Sequence, residues 1–195
     1  MNCLKADYER VFKSQIITDL VRVIGCGVEL GGKYKSKDLA TFNLDNLKFD
    51  KVIFCTDADV DGLAIQCLLS VMFYRLLPTL IEEGKVYIVE SPLYEINTKD
   101  ETYFAFDEKE RREILKKIGN KKHTIQRSKG LGENEPEMMW KTTMNPETRR
   151  LRQLTFEGAE RIAETYDLFM GDDIVGRKAY IADHGHEYMD DLDIS

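Results

Sequence analysis

Asp57-Ala58-Asp59-Val60-Asp61-Gly62 places three carboxylates at alternate positions within five residues. Carboxylates this close repel one another unless something neutralises them. A hard divalent cation does so best, because Mg²⁺ prefers oxygen ligands and commonly takes one or two carboxylates together with phosphate oxygens. The apolar run Lys51-Val52-Ile53-Phe54-Cys55-Thr56 leads directly into the acids. Such a run is typical of a strand buried on both faces. The motif therefore suggests a metal held at the end of a buried strand, where open α/β sheets bind their ligands.

Two other readings of the acids compete. The string D-x-D-x-D-G also opens an EF-hand loop, but with Asp57 as position one, Leu68 would be position twelve. An EF-hand needs a bidentate Glu at that place and a helix before the loop. The acids could instead cap the following helix, whose dipole favours negative charge. One aspartate suffices for a cap, and three in alternation exceed it.

The elements around the acids can be read from periodicity. Val11, Phe12, Ile16, Ile17, Leu20, Val21 and Ile24 recur at helical spacing, which predicts one helix from about Lys5 to Ile24. Gly25-Cys26-Gly27 stops it, and Gly31-Gly32 marks a loop. These glycines make neither a G-x-G-x-x-G nor a Walker pattern, since Leu30 stands where the last glycine should be. Leu63–Leu77 is apolar almost all round and precedes Pro78, as a buried helix would. Val86–Val89 is a second buried strand, ended or edged by Ser91-Pro92, with Leu93–Ile96 extended again. Strand, helix and strand at these distances predict a βαβ unit with a parallel pair.

Tyr103–Phe106 alternates as a strand. Asp107 with Glu110 reads as the cap of a helix running to Gly119. His123–Arg127 is a further strand before the loop Ser128-Lys129-Gly130-Leu131-Gly132-Glu133. The remainder reads as helical. Asn134 with Glu137 is the expected cap before Met138-Met139-Trp140, and Asn145-Pro146 starts a turn. Phe156–Met170 and Ile174–Ala182 are the last helices before an acidic tail. The expected division is an α/β part, residues 1–130, and a helical extension, residues 131–195.

The chain has 195 residues, 43% hydrophobic and 32% charged, enough for a globular core. No apolar run is long enough for a membrane span, and the first residues are not a secretory signal. Cys3, Cys26, Cys55 and Cys67 form no CxxC pair and read as small core residues in a reducing compartment. The net charge of −7 argues weakly against nucleic acid. Its distribution argues otherwise: Lys121, Lys122, Arg127, Lys129, Lys141, Arg149, Arg150 and Arg152 outnumber the acids of their segment. A basic segment facing an acidic metal site could hold a phosphate backbone, and on charge alone a solvated mixed-charge surface fits it equally well.

With these residues in view, the chain resembles the C-terminal part of the B subunit of bacterial type IIA topoisomerases, DNA gyrase and topoisomerase IV. The matching stretches are Cys55–Gly62, Glu90-Ser91-Pro92-Leu93-Tyr94, Arg127–Glu133, Thr143–Arg149 and Met170-Gly171-Asp172, in the family's order. Leu192-Asp193-Ile194 resembles that subunit's C-terminus. The resemblance implies a Toprim fold, a parallel α/β sheet flanked by helices, followed by an α-helical tail. It implies cleavage and religation of duplex DNA dependent on Mg²⁺, with Mn²⁺ or Ca²⁺ as substitutes. Asp57 and Asp59 would be the metal ligands, supported by Asp61, and Arg127 and Lys129 would contact DNA phosphate. The tyrosine nucleophile would come from the partner A subunit, so Tyr74, Tyr87, Tyr94 and Tyr103 are not candidates. ATP would bind only in an N-terminal domain absent here, and the location would be cytoplasmic, on the nucleoid.

The chain departs from the family's pattern in two places. The family's Glu-Gly-Asp stretch, which supplies the acid–base glutamate, has no counterpart here, and Glu9 and Glu29 do not substitute for it. That glutamate is expected upstream of Met1, which makes the chain a fragment expected to be inactive alone. Ala64 stands where many relatives carry His. The alternative class is a Toprim-like docking module with a vestigial metal site, or a relative of Toprim nucleases and primases.

Overall fold

The computed structural model describes residues 1–31, 39–127, 130–156 and 159–191. Ser128, Lys129 and the Leu192-Asp193-Ile194 ending lie outside the described residues.

The expected first helix is two helices. α1, Tyr8–Phe12, starts at Asp7, whose carboxylate accepts the Arg10 amide at 2.7 Å. α2, Gln15–Ile24, starts after Ser14, which is extended at φ −77° and ψ 110°. Ser14 makes no side-chain cap bond; its extended backbone interrupts the helical ladder while the apolar periodicity runs on across it. Gly25 ends α2 in the left-handed region at φ 92°, as expected of a helix stop.

β1, Val52–Phe54, leads through the acidic turn into α3, Val60–Leu76, and α4, Pro78–Glu82. β2, Val86–Val89, follows and lies beside β1. This is the strand–helix–strand order the sequence predicts. α3 is not buried throughout as expected. Val71, Met72, Phe73 and Leu76 are buried, whereas Val60, Leu63, Ile65 and Cys67 are exposed. The cysteines divide in the same way: Cys3 and Cys26 are core residues, and Cys55 and Cys67 are not. Burial pushes the Cys3 and Cys26 thiols up, away from the reactive thiolate.

β3, Tyr94–Thr98, β4, Thr102–Ala105, and β5, His123–Arg127, form a second sheet in the order β4-β3-β5. Both pairings are antiparallel, with Tyr94 opposite Ala105 on one side and Arg127 on the other. The sequence predicts a parallel pair and not this antiparallel sheet of locally connected strands. α5, Glu108–Ile118, has the expected cap: Asp107 accepts the Glu110 amide at 2.7 Å, and Glu110 accepts the Phe106 amide at 3.1 Å.

The segment after Gly130 is not wholly helical. β6, Leu151–Gln153, is an edge strand beside β2 in the order β1-β2-β6. It shows no apolar alternation because two of its three residues are exposed. Before it, α6, Pro136–Met139, is preceded by Glu135 rather than the expected Asn134. Pro136 opens the helix where a missing amide costs nothing. Asn134 contacts the Met139 sulfur at 3.7 Å instead. A π-turn, Trp140–Met144, continues α6. α7, Ala159–Met170, and α8, Ile174–His184, fall where helices are expected, and Asp173 caps α8 by accepting the Gly176 amide at 2.8 Å.

The chain divides into two compact units. One comprises Met1–Ile53, Cys67–Tyr87 and Gln153–Met189. Its core gathers Val11, Val21, Val28, Phe73, Leu76 and Leu80. Within it, the Arg75 guanidinium binds the Cys3 and Ala6 carbonyls and stacks on the Tyr8 ring. The other comprises, among the described residues, Phe54–Gln66, Ile88–Arg152 and residues 190–191, with Phe54, Val89, Ile96, Ala105 and Met138 buried. The acidic turn belongs to this second unit.

Candidate metal site

The turn from Cys55 to Gly62 is held from several sides. Thr56 is buried, and its hydroxyl accepts a bond from the Gln66 amide group at 2.7 Å. The Ser91 hydroxyl donates to the Thr56 carbonyl at 3.4 Å, which fastens the Glu90-Ser91-Pro92 stretch to the turn. Gly62 is buried against the Asp57 backbone. A Cβ built on it would lie 2.0 Å from the Asp57 carbonyl oxygen and 2.8 Å from its carbon. No side chain fits there, so the glycine ending the motif is demanded by close backbone approach.

The three aspartates have different surroundings. Asp59 caps α3: its Oδ1 accepts the Gly62 amide at 2.7 Å, and its carbonyl accepts the Leu63 amide at 3.0 Å. The capping reading is therefore correct for Asp59. Asp57 is engaged across 74 residues, its Oδ1 accepting the Leu131 amide at 2.7 Å. Gly130 packs on the same carboxylate, with a built Cβ 3.5 Å from Oδ1. Asp61 sits in the first turn of α3 and is exposed. No group of three His, Cys, Asp or Glu able to enclose a metal occurs among the described residues.

The donor set still suits Mg²⁺. Asp57 and Asp59 flank one residue at the strand end, each amide engages Oδ1 alone, and one or two carboxylates are a common protein share of a Mg²⁺ site. Arg127, exposed at the end of β5, stands three residues before the glycine that packs on Asp57. Lys129, the other expected phosphate contact, lies outside the described residues. Ala64 is exposed on α3 and brings no charge to the turn.

Tyr94 has a role of its own. Its hydroxyl donates to Glu108, and the Arg111 guanidinium lies 5.0 Å from its ring centroid. The bond to Glu108 raises the Tyr94 hydroxyl and holds the Glu108 carboxyl below its ordinary value. Tyr74 packs edge-on against Phe156.

The sequence did not reveal the Leu131 amide or the Thr56, Gln66 and Ser91 ties. Backbone donors carry no signature in residue type. A weak signal existed in Thr56 and Ser91, which lie within two of the family-like stretches.

Comparison with known proteins shows which families the chain resembles. Residues 6–91 match the Toprim domain family, and residues 120–182 match the family described as DNA gyrase B subunit, carboxyl terminus. The DNA gyrase B subunit of Thermotoga maritima is 37% identical over 194 residues, covering 100% of this chain and 29% of the relative. That of Archaeoglobus fulgidus is 39% identical with the same coverage. The DNA topoisomerase 4 B subunit of Bacillus subtilis is 39% identical over 185 residues, covering 93% of the chain and 27% of the relative. The chain thus spans less than a third of the length of these curated relatives. No helix among the described residues is long and apolar enough to cross a membrane.

Proposed function

Because the chain belongs over residues 6–91 to the Toprim family and over 120–182 to the family of DNA gyrase B carboxyl termini, we propose that it supplies the acidic site of a type II DNA topoisomerase. The acidic turn is the observation that supports this best. Asp57 and Asp59 both lie in the turn between β1 and α3, and each has one oxygen bound by a backbone amide. A cap alone would need only Asp59.

In this reading Asp57 and Asp59 hold a divalent cation, Mg²⁺ or its substitute Mn²⁺ or Ca²⁺, and Asp61 adds negative charge beside them. A cation there would stabilise charge on the attacking and leaving oxygens of phosphoryl transfer. Arg127 and Lys129 contact the DNA backbone, where a guanidinium can bind phosphate in two-pronged fashion. The nucleophilic tyrosine comes from the A subunit, and the acid–base glutamate and the ATP site come from other parts of the B subunit. Residues 1–130 serve as the Toprim part and 131–195 as the C-terminal part. The working location is the cytoplasm, on chromosomal DNA.

Two experiments test the reading. The chain's Mn²⁺ affinity should fall at least about tenfold in Asp57→Asn with Asp59→Asn, since both ligands lose their charge. Equal affinity would show that the aspartates are not ligands. The isolated chain, mixed with an A subunit, duplex DNA and Mg²⁺, should give no strand cleavage. Cleavage would refute the need for the remaining parts of the B subunit.

A further inference from the structure

We propose that the backbone amide of Leu131 is a positioning group for Asp57, which couples the turn that opens at Leu131 to cation binding at the acidic turn. The inference rests on the cation reading above and adds to it a group outside the motif. Asp57 has no helix to cap, since that task falls to Asp59. Its carboxylate reaches instead to an amide 74 residues away, at 2.7 Å. The partner is the first residue of a short 3₁₀ turn, Leu131–Glu133, and a Cβ placed on Gly130 before it would meet the same carboxylate at van der Waals distance. A lone carboxylate on a turn rotates about its side-chain torsions. One held through Oδ1 has its second oxygen in a fixed place, and partners of this kind tune metal affinity.

The amide can be removed with little other change. Gly130 is extended, at φ −171° and ψ 157°, which suits a residue preceding proline. Leu131 opens its turn, where proline's missing amide and fixed φ are tolerated. In the whole chain, Leu131→Pro should weaken Mn²⁺ binding by about tenfold. Leu131→Ala, which keeps the amide, should bind within about twofold of the parent. Equal loss in both variants, or none in Leu131→Pro, overturns the inference.

A second measurement needs no substitution at Leu131. Its amide resonance should shift on titration with Mg²⁺, and should shift in the metal-free chain on Asp57→Asn. An unmoved resonance in either case overturns the coupling even if Leu131→Pro folds poorly. If Asp57→Asn with Asp59→Asn binds Mn²⁺ as the parent does, the cation reading fails and the inference with it. If that pair loses binding while Leu131→Pro keeps it, the reading stands and the inference alone fails.

Discussion

The starts of α5 and α3 use aspartate in the same way and then part company. At α5, Asp107 accepts the amide three residues on, and Glu110 returns a bond to the Phe106 amide. Every acid has a structural partner: Glu108 takes the Tyr94 hydroxyl and the Arg111 guanidinium. At α3, Asp59 makes the same cap, but Asp57 reaches to a distant loop and Asp61 is exposed. A helix start is completed by one aspartate, as at α1 and α8. The surplus acids of α3 add repulsion with no local return, and such local conflict is the expected mark of a functional site.

The third residue after the cap offers the largest test of that contrast. At α5 this position is Glu110, whose side chain is used. At α3 it is Gly62, where a Cβ would meet the Asp57 carbonyl oxygen at 2.0 Å. Backbone must move to admit it, so Gly62→Ala should cost about 3 kcal/mol in urea unfolding, at the upper end for overpacking. Gly130→Ala, with its Cβ 3.5 Å from the Asp57 carboxylate, should change stability by less than about 0.5 kcal/mol. Equal effects would mean that the turn is not closed on Asp57 as described.

A smaller effect separates structure from chemistry. Asp59→Ala and Asp107→Ala each remove a cap and should each cost about 1 kcal/mol. Only Asp59→Ala should also reduce Mn²⁺ affinity, measured by calorimetry on the same samples. If both variants keep the parent's affinity, the start of α3 is merely a crowded cap.

What the sequence revealed follows from this physics. The cap of α5, the strand β4 and the stop at Gly25 were legible because each rests on a local signal: a carboxylate at fixed spacing, period-two alternation, a glycine. The break at Ser14 was hidden by apolar periodicity that continues across it. β6 was hidden because a three-residue edge strand shows no pattern, and its pairing is decided by a distant β2. The apolar face of α3 misled in a different way. Val60, Leu63 and Ile65 have the composition of a core yet are exposed, and composition cannot say which turns of a helix are covered. At the site, the aspartates were visible and their glycine had a reason, but the tie from Asp57 to Leu131 depends on tertiary structure alone.

The smallest expected effect concerns the second acid at each helix start. Glu108 is held below its ordinary value first by the Tyr94 hydroxyl and then by Arg111. In the unfolded chain its carboxyl titrates at the ordinary glutamate value. A carboxyl lower in the folded state releases its proton more readily there, so its stabilising contribution is present above that pH. It is lost as pH falls through the lower folded value. Removing the hydroxyl in Tyr94→Phe raises Glu108 towards its unfolded value and should flatten this acid limb. Because Glu108 is partly exposed, solvent screens the change and it should be small. Urea unfolding of both proteins at several values from neutral to acid pH measures it. An unchanged acid limb would mean that Glu108 lacks the structural partner that distinguishes the acids of α5 from those of α3.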